Sequence, residues 1–365
     1  MLIDDLAHRI WINSEFKAEY VDLLLESIGQ GIGLTPAPRK KDWRESLRRL
    51  LQSASHFAAT SSTMYREAAY RIVAATYSLY RLDYENILDA MSFVLGRLGN
   101  FPATNLLYGT GEHQAYDSLP QALWFEIESR QLSNSVRVNG HSEILTDFQK
   151  RLWDSLESKV STAVTAPTSA GKSFALQRFL AKFFLTEGGW AVYVVPTRAL
   201  LNQVADNLTD LLGSFGLTDK VFTIPVAPSE LNATGGVYVL TQERLQLLLE
   251  SDPNLAFSLV IIDEAQILSE GGRGVILEVV VEKLRRRRSE IQFLFGSPQT
   301  RNPGVFQHAF SLLQLNVVQE LETPVAQNIL FVDTDPVRLS EATLTALVDG
   351  ERRFVSRLTA GFVLR

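Results

Sequence analysis

The hydrophobic rhythm of the chain changes once, near residue 140. Upstream, apolar residues recur at helical spacing. In DWRESLRRLL (42–51), Trp43, Leu47, Leu50 and Leu51 fall on one face of a helix. YREAAYRIVAATYSLYRL (65–82) and ENILDAMSFVLGRL (85–98) have the same texture. The Gly- and Pro-rich stretches GQGIGLTPAPRK (29–40) and GNFPATN (99–105) break such segments. Residues 1–140 are therefore expected to form an all-α N-terminal domain. No fixed-period repeat is visible, although paired helices leave a solenoid-like array open.

Downstream, short apolar runs alternate with helical patterns. The runs are STAVTA (161–166), WAVYVV (190–195), VFTIPV (221–226), GVYVL (236–240), FSLVII (257–262) and IQFLF (291–295). Between them lie RALLNQVADNLTDLL (198–212), QERLQLLLE (242–250) and GVILEVVVEKLRRRR (274–288). Continuous apolar strands are expected when helices cover both faces of a parallel sheet. Residues 141–333, including a further strand in NILFVDTD, are thus expected to form a doubly wound α/β domain with a parallel sheet. Residues 334–365 read as a linker or the start of another domain.

Composition narrows the class. The chain has 365 residues, a net charge of −6 and no cysteine, so disulfides and thiolate metal sites are excluded. The N-terminus carries early acids and no long apolar segment of the signal-peptide kind. No apolar run reaches transmembrane length, so no membrane partner is expected and a cytoplasmic location is. A nucleic-acid partner would need a local basic patch. The runs Arg285–Arg288 and RKKDWRESLRR read instead as helix-end or solvated charges facing water.

The candidate chemistry begins at TAVTAPTSAGKSFALQRFL (162–180), a hydroxyl-rich loop between a strand and a helix. APTSAGKS fits the Walker A pattern, with Ala166 in place of the first Gly. Thr168, Ser169, Ala170 and Gly171 would cradle phosphate through backbone N–H groups and the helix N-terminus. Lys172 would reach the β- and γ-phosphates, and the Ser173 hydroxyl would ligate Mg²⁺. LVIIDEAQ (259–266) ends an apolar strand in two acids, as a Walker B strand does. Asp263 would serve the Mg²⁺ shell and Glu264 would activate the attacking water. A helix cap is the bland alternative for a lone acid pair. The upstream loop in the same α/β domain argues against it.

In this order the motifs resemble those of superfamily 2 (DEAD/DEAH-box type) helicases, whose first RecA-like domain 141–333 would form. PTSAGKS resembles motif I and DEAQ motif II. LTDFQKRLW resembles the Q motif, with Gln149 reading adenine and Phe148 packed nearby. VVPTRALLNQV resembles motif Ia, placing Pro196, Thr197 and Arg198 at a nucleic-acid backbone; alone, Arg198 reads equally as a solvated helix start. VLTQERL resembles motif Ib through Thr241 and Gln242, with Gln where Pro is usual. RGVILE, from Arg273, resembles a segment of the Ski-type and DNA-repair branch. FGSPQTRN stands where motif III usually reads Ser-Ala-Thr, here Ser297, Pro298 and Gln299. The resemblance implies ATP and Mg²⁺ as cofactors and catalytic roles for Lys172, Asp263, Glu264 and Gln266. It also implies DNA or RNA as partner, DNA favoured. The appended helical domain and the DEAQ variant resemble bacterial genome-maintenance or antiphage helicases, such as that of the Hachiman system.

Such motors use two RecA-like domains, the second supplying an arginine finger usually marked Gln-x-x-Gly-Arg-x-x-Arg. That signature is not found here, and 334–365 is too short for the domain. A second RecA-like domain downstream in a longer chain is therefore expected. The competing reading is a nucleotide-gated scaffold that recruits a partner effector protein; the intact Lys172, Asp263 and Glu264 argue against it.

Overall fold

The computed structural model describes residues 2–34, 43–81, 87–108, 119–231, 233–269, 271–288, 290–298, 302–322, 325, 327–334 and 341–359. The chain divides into two compact units, one of residues 1–134 with 322–365 and the other of residues 135–321.

The first unit opens with helices α1 (Leu2–Trp11), α2 (Ser14–Gly31), α3 (Trp43–Phe57), α4 (Thr63–Tyr80), α5 (Ile87–Arg97), α6 (Phe101–Tyr108) and α7 (Gln121–Asn134). The predicted face of α3 is the one buried: Trp43, Leu47, Leu50 and Leu51 join Leu23 and Ile72 in one core. That core also holds a carboxylate. Glu19 is buried, accepting from the Ser46 hydroxyl at 2.8 Å and from the Arg49 guanidinium. The pairing satisfies a charge that would be costly to bury alone.

The second unit begins with a hairpin, β1 (Ser135–Val138) and β2 (His141–Ile144), then α8 (Asp147–Glu157). It continues with β3 (Thr162–Thr165), α9 (Lys172–Thr186), β4 (Trp190–Val194), α10 (Arg198–Ser214), β5 (Val221–Phe222) and α11 (Pro228–Leu231). Then come β6 (Gly236–Leu240), α12 (Gln242–Ser251), β7 (Leu259–Ile262), α13 (Gly271–Arg287), β8 (Gln292–Ser297), α14 (Val305–Ala309) and β9 (Asn316–Gln319). Strands β3 to β9 form a seven-stranded sheet in the order β5-β6-β4-β7-β8-β3-β9. Every pairing in it is parallel.

Apolar side chains alternate between the two faces of this sheet. Val164, Ile261 and Leu294 meet Leu152, Leu176 and Leu208 of α8, α9 and α10. Ala163, Ile262 and Phe295 meet Leu248 of α12 and Val280 and Leu284 of α13. Helices on both faces explain why the strands read as unbroken apolar runs.

The remaining strands, β10 (Leu330–Thr334), β11 (Glu341–Val348) and β12 (Glu351–Thr359), form an antiparallel sheet in the first unit. The expected all-α region thus gains a sheet. The unit boundaries fall at 134/135 and 321/322 rather than 140/141 and 333/334. NILFVDTD does supply a strand, but it pairs with β11 and not with the parallel sheet. The reason lies in β11: Leu344, Ala346 and Val348 are buried at every second position, and Ala346 and Val348 enter the helical core. In VFTIPV only Val221 and Phe222 pair, because an edge strand has one neighbour to hold it.

Candidate active site

The motifs lie at the carboxyl ends of adjacent parallel strands, where open α/β sheets bind ligands. After β3, Thr168–Ala170 makes one 3₁₀ turn, and Gly171 takes a left-handed conformation (φ 80°) that launches α9. No side chain caps α9, so its first N–H groups remain donors for an anion. A Cβ on Gly171 would lie 2.4 Å from Gln149 Nε2, so glycine is required twice over, by conformation and by space. Thr168, Ser169 and Ser173 are exposed, whereas Ala170 is buried.

Lys172 is 5% exposed. Its ammonium donates to the carbonyl oxygens of Ala166 at 2.5 Å and Pro167 at 3.2 Å. Burial lowers its pKa below the usual lysine value, and the Asp263 and Glu264 carboxylates oppose that shift. The three charged groups named from sequence therefore act on one another in space.

β7 continues one residue past its apolar run. The Asp263 N–H donates to Val194 O at 2.9 Å, keeping that residue on the sheet ladder. Glu264 then turns left-handed (φ 55°), a conformation uncommon for a residue with a side chain and concentrated at functional sites. Tyr193 Oη donates to Asp263 Oδ2 at 2.9 Å, and the Glu264 N–H donates to Oδ1 at 3.1 Å. Burial raises the Asp263 pKa, with the Tyr193 hydrogen bond opposing and the Glu264 charge adding. Gly296 of β8 leaves the room this carboxylate occupies, since a Cβ there would stand 3.0 Å from Oδ1. Gln266 Nε2 donates to Glu264 Oε2 at 2.5 Å, which orients the carboxylate expected to act as base.

The residues present suit Mg²⁺. Among the described residues no group of three or more His, Asp or Glu gathers to hold a metal. Asp263 and Ser173 offer a small set of hard oxygen donors, the kind that holds Mg²⁺ jointly with substrate phosphates and water.

Other expected residues are placed less simply. Gln149 is buried within a capping box: its Oε1 accepts from the Thr146 N–H at 3.0 Å, and its own N–H donates to Thr146 Oγ1 at 3.1 Å. Its Nε2 is left against Gly171. Phe148 is packed in the core, with little surface for a base. Thr197 and Thr241 cap α10 and α12, accepting from the N–H groups of Leu200 and Arg244. Pro196 is half-buried and Arg198 exposed. Gln242 is 1% exposed, and its amide donates to Glu243 at 2.8 Å. The Arg273 guanidinium donates to Pro196 O, tying the start of α13 to the turn before α10. Ser297 is buried without a hydrogen-bond partner for its hydroxyl, and Gln299 lies outside the described residues.

The arginine run is no solvated face throughout. Arg285 donates to Phe310 O at 2.6 Å, Arg287 to Asp252 O at 2.9 Å and Arg288 to Ser258 Oγ at 2.6 Å. The side chains tie α13 to the loops around it.

Residues 146–298 match the model of the DEAD/DEAH box helicase family. That stretch is thus similar to a DEAD/DEAH box helicase domain. Over 142 residues it is 34% identical to the probable helicase HelY of Mycobacterium tuberculosis, covering 38% of this chain and 15% of that one. Over 183 residues it is 27% identical to the ATP-dependent DNA helicase Hel308 of Aeropyrum pernix, covering 50% of this chain and 24% of that one. A solved structure of the DEAD-box helicase Mss116 bound to ssRNA and UDP-BeF is similar at 20% identity, covering 50% of this chain and 42% of that one, with a TM-score of 0.43. The match thus spans about a quarter or less of the length of these two curated relatives.

The second unit also contains a residue that sequence reasoning passed over. Tyr193 interrupts an otherwise apolar strand, and its hydroxyl meets Asp263 at the centre of the site. A buried tyrosine hydroxyl needs a partner, and that was the available signal.

Proposed function

We propose that this chain is part of an ATP-dependent motor that moves on or unwinds nucleic acid, DNA in preference to RNA. The observation that supports it most is the convergence of Lys172, Asp263 and Glu264 beside an uncapped helix N-terminus. In this reading the N–H groups of Thr168 to Ser173 bind the phosphates and Lys172 meets the transferred one. Gln266 orients Glu264, which accepts the proton of the attacking water. Mg²⁺, held by Ser173 and Asp263 when ATP is bound, offsets charge on the phosphate oxygens. The hydroxyls of Thr197 and Thr241 still have a proton to give, and with Arg198 they would follow a sugar-phosphate backbone without reading bases. Arg273, engaged with Pro196 O, would set the shape of that track.

A second RecA-like domain would close over the nucleotide. Within superfamily 2 we favour the Ski-like branch, on the segment from Arg273. The appended unit and the DEAQ variant favour a bacterial antiphage role in the cytoplasm, with an effector as partner. The test is phosphate release measured with and without single-stranded DNA or RNA. Stimulation by a strand, lost in Glu264→Gln, is expected. Nucleotide binding that no strand affects, paired with nucleotide-dependent capture of a protein, would favour the scaffold reading instead.

A further inference from the structure

Tyr193 takes no part in the chemistry just described, yet its hydroxyl meets a group that does. It lies on β4 and is 0% exposed. Valine or isoleucine would pack such a strand without a hydroxyl to satisfy, and a buried hydroxyl costs stability unless hydrogen-bonded. This one is bonded: it donates to Asp263 Oδ2 at 2.9 Å.

The direction of this bond matters. Asp263 receives one donor on each oxygen, Tyr193 Oη on Oδ2 and the Glu264 N–H on Oδ1, which fixes the plane of the carboxylate.

We propose that Tyr193 is a positioning residue for Mg²⁺ at the nucleotide site, setting the Asp263 carboxylate before nucleotide arrives. The inference rests on the ATPase reading above and adds to it a metal-affinity role for a residue on a different strand. Groups that orient metal ligands typically contribute on the order of tenfold or more in metal affinity.

The test compares the full chain with Tyr193→Phe, which keeps the ring and removes the hydroxyl. Mn²⁺ replaces Mg²⁺ as a spin probe, titrated in the presence of a non-hydrolysable ATP analogue. The Mn²⁺ dissociation constant is expected to rise about tenfold, while binding of the analogue in EDTA is unchanged. In an Asp263→Ala background the same substitution should have a smaller effect, because Tyr193 acts through that carboxylate. Equal Mn²⁺ affinity in the native and Tyr193→Phe chains would overturn the inference and leave the ATPase reading standing. A Tyr193→Phe chain that does not fold would assign the hydroxyl to the core, and would overturn it too. Failure of the native chain to bind nucleotide with metal would remove both.

Discussion

A buried ammonium is expensive unless it has partners, and Lys172 has two loop carbonyls and two nearby carboxylates. Phosphate oxygens are the ligand that best suits such a group. Lys172→Ala should therefore slow ATP turnover by on the order of 10²-fold or more, the scale of losing one preorganised charge-stabilising donor. Glu264→Gln should retain nucleotide binding while reducing turnover by roughly 10²–10⁴-fold, the usual contribution of a general base. Turnover near native in that variant would show that another group takes the proton. Gln149 was legible only as a pattern. Its place in the Q motif can be read from LTDFQ, but its role in a capping box requires seeing its Oε1 on the Thr146 N–H. Gln149→Ala is expected both to lower the melting temperature and to weaken ATP more than GTP. Loss of stability with equal effects on the two nucleotides would leave it a cap alone.

Three helices start at the carboxyl ends of parallel strands, and their caps differ. Thr197 and Thr241 close α10 and α12, while Gly171 leaves α9 open. The difference follows from the residues themselves and favours α9 as the phosphate site. Gly171→Ala should cost about 1–3 kcal/mol from the left-handed backbone alone and push Gln149 aside. Its melting temperature and its ATP affinity should fall together. Arg198→Ala should weaken single-strand binding by a similar factor for every sequence tried, and should lower the salt dependence by about one counterion. A loss confined to particular sequences would contradict a backbone contact. The parallel sheet was legible because both its faces are covered and its strands are apolar runs. β9 was not, since an edge strand with exposed Val317 shows no such run. The different placements of Thr241 and Gln242 were not legible, because the two are neighbours in sequence, yet one caps the helix and the other is buried under it.

At the scale of the molecule, two hydrophobic clusters build the second unit, the candidate helicase unit, and a separate one unites helices α1–α5 with β11. The strand alternation in EATLTALV was present in the sequence. What it paired with was not, because Ala346 lies far along the chain from the helices whose core it enters. Ala346→Asp would place an unpaired carboxylate there and should destabilise that unit by several kcal/mol. Thermal unfolding should show the loss, while ATP affinity stays near native if the helicase unit folds on its own core. The account depends most on one claim, that the loop from Thr168 to Ser173 binds the phosphates of ATP. Equilibrium titration of the native and Lys172→Ala chains with a fluorescent ATP analogue, in Mg²⁺, tests it most directly. Saturable binding by the native chain, competed by ATP and weakened at least tenfold in Lys172→Ala, is the result predicted, as about 1.4 kcal/mol of lost contact requires. Equal affinity in the two chains, or no binding by the native one, would contradict it.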